Sequence, residues 1–203
     1  MSLILIDEKA KFVHIPKTGG VSIRMALVSS VRKTRKAGVR RNVYPVNHTS
    51  QCWEICPYEI EFTFCFIRNP FKWYESAFCA VRGRWGSKRN FCYHPLKQPY
   101  ECRSNTFAGY MTKLIEKYPG YCSQMFRDFI GTQQHPLVDF VGLAENSDDD
   151  FKFVCDRIGI TAQRLSRLNR SPEIECDWTP ALIDAVRKHD AEILERFYCE
   201  DTC

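Results

Sequence analysis

The sequence predicts an α/β fold, a single domain over residues 1–203 with a mainly parallel central sheet flanked by helices. Three observations predict it. Short apolar runs alternate with stretches of helical periodicity. A strand, a tight glycine loop and a helix follow one another between residues 11 and 27. The 203 residues, 44% hydrophobic and 26% charged, suffice to bury a core of their own.

Lys11-Phe12-Val13-His14-Ile15 reads as a short buried strand, and Pro16 to Gly20 as a turn. Val21, Met25 and Val28 then recur at helical spacing. Asn42 to Val46 is a second short strand. Phe62-Thr63-Phe64-Cys65-Phe66-Ile67 is a strand rich in aromatics, broken by Asn69-Pro70, and a helix follows from Phe71. Asn105 to Lys117 reads as a helix stopped by Pro119-Gly120, and Leu137 to Val141 as another strand. Ser147 and Asp150 have the spacing of a capping box, and Asp148 and Asp149 suit the positive end of a helix. Phe151, Val154, Cys155 and Ile158 share one face of that helix, and Gly159 closes it. The last helix starts at Thr179-Pro180, with Leu182, Val186, Ile193 and Phe197 on its inner face.

Composition excludes a disordered protein, a collagen-like fibre and a coiled coil. No apolar run approaches the ~20 residues of a membrane span. The stretch Met1 to Glu8 lacks a basic region and turns acidic too soon for a signal peptide. The expectation is a soluble, cytoplasmic protein. Eleven cysteines are an odd number, so a single chain leaves at least one thiol unpaired. Cys52, Cys56, Cys199 and Cys203 could offer four thiolates to zinc, at the loose end of the usual spacing. The simpler reading is free buried thiols acting as small apolar side chains, for which Cys65 and Cys79 are best suited. The net charge is +5, and Arg32, Lys33, Arg35, Lys36, Arg40 and Arg41 fall in one stretch without an acid. They form either a solvated helix end or a docking surface for an anionic partner. No nucleic-acid recognition motif accompanies them.

Residues 11–27, KFVHIPKTGGVSIRMAL, are the most informative segment. A strand, loop and helix in this order aim backbone N–H groups and the positive helix end at the loop, where an anion is the natural occupant. Gly19 and Gly20 let the backbone approach it, Lys17 adds a full charge, and Thr18 and Ser22 add hydroxyls. Lys17 precedes both glycines, unlike the lysine of a Walker loop, and no G-x-G-x-x-G occurs. Spacing alone leaves an ordinary βα turn as the alternative.

The run Ile15-Pro16-Lys17-Thr18-Gly19-Gly20-Val21-Ser22 resembles the 5′-phosphosulfate loop of sulfotransferases that use 3′-phosphoadenosine 5′-phosphosulfate (PAPS). It is most similar to the Pro-Lys-Thr-Gly-Gly-Thr-Ser loop of carbohydrate sulfotransferases, with Val21 in place of the threonine. Residues 61–78, EFTFCFIRNPFKWYESAF, supply a second match. The family has an Arg-Asn-Pro at a strand end and a serine on the next helix, so the resemblance implies that Arg68 and Ser76 hold the 3′-phosphate. A guanidinium suits paired hydrogen bonds to phosphate. A surface ion pair for Arg68 and a backbone-bonded hydroxyl for Ser76 are the plain alternatives. Residues 139–160 are similar to the family's late strand, acidic loop and helix. Asn169-Arg170-Ser171 resembles a segment that approaches the phosphosulfate.

The resemblance implies a P-loop-like sulfotransferase fold and an in-line transfer of the sulfuryl group from PAPS, leaving 3′,5′-bisphosphoadenosine (PAP). Lys17 would donate to the bridging oxygen, and the phosphosulfate would rest on Lys17, Thr18, Gly19, Gly20, Val21 and Ser22. The acceptor must lose a proton. His48, just after the second strand, is the expected base, with Glu54 as runner-up. His14 is expected to be structural. The acceptor is a carbohydrate-like hydroxyl or amine, lined by such residues as Arg84, Trp85, Arg89, Tyr93 and Tyr100, and no metal is required. A nucleotide-dependent phosphotransferase of related fold and a non-catalytic PAP-binding protein are the alternatives.

Overall fold

The computed structural model describes residues 2–5, 9–34, 43–46, 59–82, 100–166 and 174–199. They cluster into two compact units, one of Met1–Ile67 with Asp128–Arg170 and the other of Arg68–Arg127 with Ser171–Cys203.

The first unit is α/β. Its sheet has five strands: β1 (Ser2–Leu5), β2 (Ala10–Val13), β3 (Val43–Val46), β4 (Phe62–Ile67) and β5 (Phe140–Leu143). They lie in the order β3-β1-β2-β4-β5. β2, β4 and β5 are parallel, with Phe12 opposite Phe64 and Cys65 opposite Val141, so their carboxyl ends share one edge. β1 is antiparallel to both β2 and β3. The sheet thus holds a parallel set of three, as expected, but as a whole it is mixed, which corrects the mainly parallel expectation. The cause is β1, whose short apolar run Leu3-Ile4-Leu5 pairs antiparallel on both sides. Pro45 pairs with Leu3 on the edge strand β3, where a residue without an N–H is tolerated.

Alternation along the strands builds the core. Phe12, Phe62, Phe64 and Phe66 face α1 (Gly20–Thr34) and α5 (Ser147–Arg157) through Ile23, Leu27, Val31, Phe151 and Val154. The Phe12 and Phe64 rings lie 5.5 Å apart. Burying one such ring contributes about 1.5–3 kcal/mol. The alternate residues Val13, Cys65 and Ile67 are buried as well, which suits a sheet without a wet face.

The ends of α5 show where local chemistry was read correctly and where it was not. Gly159 has φ +71°, Ile160 N–H donates to Cys155 O at 2.9 Å, and Gly159 N–H to Asp156 O at 3.2 Å. These two bonds are a Schellman closure. The expected capping box is not formed. A tight turn, Ala144–Asn146, makes Asn146 the cap, and Asp150 accepts from Leu143 N–H (2.6 Å) and Asn146 Nδ2 (3.0 Å) instead.

The second unit is helical: α2 (Pro70–Arg82), α3 (Phe107–Lys117), the first residues of α4 (Tyr121–Ile130), α6 (Pro180–His189) and α7 (Ala191–Phe197). Asn69 Oδ1 accepts from Phe71 N–H at 3.0 Å and Pro70 opens α2, as Asn-Pro chemistry predicts. Thr179 Oγ1 likewise accepts from Leu182 N–H at 3.3 Å. Buried Trp73, Phe78, Phe107, Tyr110 and Phe126 form an aromatic core. The last helix is two helices, divided at Asp190, although the apolar spacing runs on through it. The helix α4 was not expected from the sequence.

Candidate functional site

The loop between β2 and α1 leaves the sheet at the edge where the parallel strands end, the usual position of a ligand crevice in such sheets. Its backbone is specialised. Lys17 has φ +69° and Gly19 φ +78°. The left-handed region costs a residue with a side chain roughly 1–2 kcal/mol, so a lysine held there marks a loop whose shape is imposed by its surroundings.

Two contacts impose it. Thr18 is 2% exposed and its Oγ1 donates to Ile15 O at 2.9 Å, closing the turn from inside. Beneath the loop lies His14, 8% exposed, its ring stacked on Phe12 with centroids 6.0 Å apart. A Cβ on Gly20 would stand 1.9 Å from His14 Cδ2. Gly20 is thus required by the imidazole below it. Gly19 is exposed, with open space where a Cβ would stand, and is required by its dihedral.

α1 begins at Gly20. Ser22 and Ile23 N–H donate to Gly19 O at 2.9 and 3.3 Å, so the amides of Gly20 and Val21 precede the helical ladder. No acid lies in the first turn of this 15-residue helix, and Arg32 and Lys33 lie in its last. The arrangement gathers Lys17, the Gly20 and Val21 amides and a positive helix end around exposed Gly19, a combination that attracts a multivalent oxyanion. The Thr18 hydroxyl proton is committed to Ile15 O, so its oxygen is left as an acceptor there.

Arg68 and Ser76 belong to the second unit. Arg68 directly follows β4 in the chain and is half-buried; Ser76 is half-buried on α2. His48, Glu54, Asn169, Arg170, Ser171, Arg84, Trp85, Arg89 and Tyr93 lie outside the described residues, as do Cys52, Cys56, Cys203 and most of the basic run. Among the described residues no group of three metal-ligating side chains occurs, and no helix is long and apolar enough to cross a membrane. None of the seven described cysteines is joined in a disulfide. Cys65 is buried as expected; Cys79 is only half-buried, which corrects its reading as a core thiol.

Sequence reasoning missed the part His14 plays in shaping the loop. The available signal was the glycine doublet itself, since one glycine answers to a dihedral and the other to a neighbouring ring. No protein-family model, curated protein or solved structure matches this chain.

Proposed function

We propose that this protein is a PAPS-dependent sulfotransferase acting on a hydroxyl or amine of a carbohydrate-like acceptor. The observation that carries the reading is the β2–α1 loop. Its lysine is held left-handed next to an exposed glycine, at the positive end of a long helix and at the carboxyl edge of parallel strands. PAPS, when bound, supplies the sulfuryl group. Lys17 and the amides of Gly20 and Val21 would hold its 5′-phosphosulfate, and Arg68 and Ser76 its 3′-phosphate. Asn169, Arg170 and Ser171 join them on the strength of sequence alone, and so does His48 as the base for the acceptor proton. Removing a preorganised donor such as the Lys17 ammonium typically costs about 100- to 1,000-fold in rate.

Thermal unfolding with and without PAP, for the wild type and Lys17→Ala, tests this reading. PAP at a hundred times its dissociation constant stabilises by about 2.7 kcal/mol. For a chain of this size that is a rise of roughly 5–10 °C. The rise should shrink in Lys17→Ala. No rise at high PAP would remove the cofactor and the activity with it. One observation favours a second reading, a PAP-binding protein without transfer: Val21 carries no hydroxyl and that of Thr18 is spent on the turn. A normal thermal rise with no sulfate transferred from PAPS to any hydroxyl or amine acceptor would establish it.

A further inference from the structure

Residues 174–179 run as a strap along α2. Ile174, Cys176 and Trp178 are half-buried, and Glu175 and Asp177 between them are exposed, the alternation of an extended chain. Trp178 fixes one end. Its Nε1 donates to Glu75 Oε1 at 3.0 Å, and its ring meets Phe71 and Phe107 edge-on at 5.1 and 4.8 Å. Phe71, Glu75 and Cys79 are spaced by four along α2 and so share one face. Four helical residues advance about 6 Å, and two residues of extended chain about 6.6 Å. Trp178 meets both Glu75 and Phe71, so a strap running antiparallel to α2 brings Cys176 to Cys79, and Cys79 is among the groups that raise the Cys176 thiol. Both are free and half-buried, open to a small reagent.

We propose that Cys79 and Cys176 are a redox pair that closes to a disulfide and staples the strap to α2. The oxidant is a low-molecular-weight disulfide such as glutathione disulfide. The Cys79 thiolate attacks one of its sulfurs, releasing one glutathione and leaving a mixed disulfide. Cys176 then attacks the Cys79 sulfur and releases the second glutathione. Two thiol protons and two electrons pass to the two departing thiols, so the exchange balances. Burial first, then Cys79 and Glu75, push the Cys176 thiol up to about 12. The second step is therefore slow at neutral pH and accelerates about tenfold per unit of rising pH while the thiolate is scarce. Metal capture is the other use of paired thiols, but no third ligand completes a site among the described residues.

The pairing stands on the second unit alone and is independent of the proposed sulfotransferase activity. The test equilibrates the purified full chain in glutathione buffers from reducing to oxidising. The chain is then quenched, alkylated and digested, and its peptides are weighed. The expected product is the Cys79 peptide joined to the Cys176 peptide, two hydrogens lighter than the free pair, formed faster as pH rises and cleaved by reductant. Cys176→Ser should instead accumulate glutathione on Cys79. Recovery of both cysteines as alkylated thiols at the most oxidising ratio would overturn the proposal. So would their pairing only with other cysteines or only with glutathione in the wild type.

Discussion

Tyr74 on α2 donates its phenolic proton to Asp190 Oδ2 at 2.8 Å, across 116 positions of chain, and together the two residues cap a third element. Asp190 Oδ1 accepts from Ser123 N–H at 2.8 Å, and Tyr74 Oη accepts from Cys122 N–H at 3.1 Å. The first-turn amides of α4, which no intrahelical carbonyl can serve, are satisfied from α2 and from the junction of α6 and α7. Asp190 is 1% exposed, so the assembly is shielded from bulk solvent.

The pH dependence of stability follows from that burial. Loss of solvent pushes the Asp190 carboxyl above its ordinary 3.8, while the bonds from Ser123 and Tyr74 and the charge of His189 pull it back only in part. The folded chain binds this proton more tightly than the unfolded chain. The contribution is therefore fully present below 3.8 and is lost as pH rises through the elevated folded value. In urea titrations, the advantage of the wild type over Asp190→Asn should shrink across that window. An advantage growing with pH would mean that the surroundings favour the charge.

Tyr74→Phe keeps the ring packed and deletes only the hydroxyl. It leaves the Cys122 amide without its acceptor and Asp190 Oδ2 without its phenolic donor, while Ser123 N–H still serves Oδ1. A buried group left unpaired costs about 1–3 kcal/mol, which a shift in urea midpoint at constant slope would report. A change below about 0.5 kcal/mol would show that water replaces the hydroxyl.

Lys17→Gly separates backbone from side chain. Glycine removes roughly 1–2 kcal/mol of left-handed penalty and returns about 0.4–1 kcal/mol through the freer unfolded chain. The variant should match or exceed the wild type in stability by up to ~1.6 kcal/mol, while Lys17→Ala keeps the penalty. In both, the thermal response to PAP should shrink. A Lys17→Gly chain that melts well below the wild type would assign the lysine to the fold and not to a ligand.

Arg68→Ala should weaken PAP far more than adenosine 5′-phosphosulfate, which has no 3′-phosphate for a guanidinium to grip. Calorimetric titration of both ligands reads the difference. Equal losses would place Arg68 elsewhere in the site.

Elements with local signals were legible in the sequence. The aromatic run of β4, Asn69-Pro70, Thr179-Pro180 and Gly159 each carry their own stop or start, and the structure uses them as such. α4 escaped because its start is capped by Tyr74 and Asp190, residues far away in sequence, so Tyr121 carries no cap to read. The division at Asp190 escaped for the same reason. Leu182, Val186, Ile193 and Phe197 keep helical spacing, and the break answers to a partner on another helix. Within the loop, the residue types were legible, whereas the left-handed Lys17 and the His14 ring under Gly20 depend on packing that spacing does not encode.

β3 touches the sheet through β1 alone. The hairpin that brings Leu5 opposite Ala10 is local and closes quickly. The pairing of β2 with β4 must wait for about fifty further residues, and local contacts form first when loop closure sets the pace. β1 thus acts as a splint laid down early, and residues 43–46 have nowhere to dock until it is in place. Excising residues 2–5 would therefore strip two strands from the sheet.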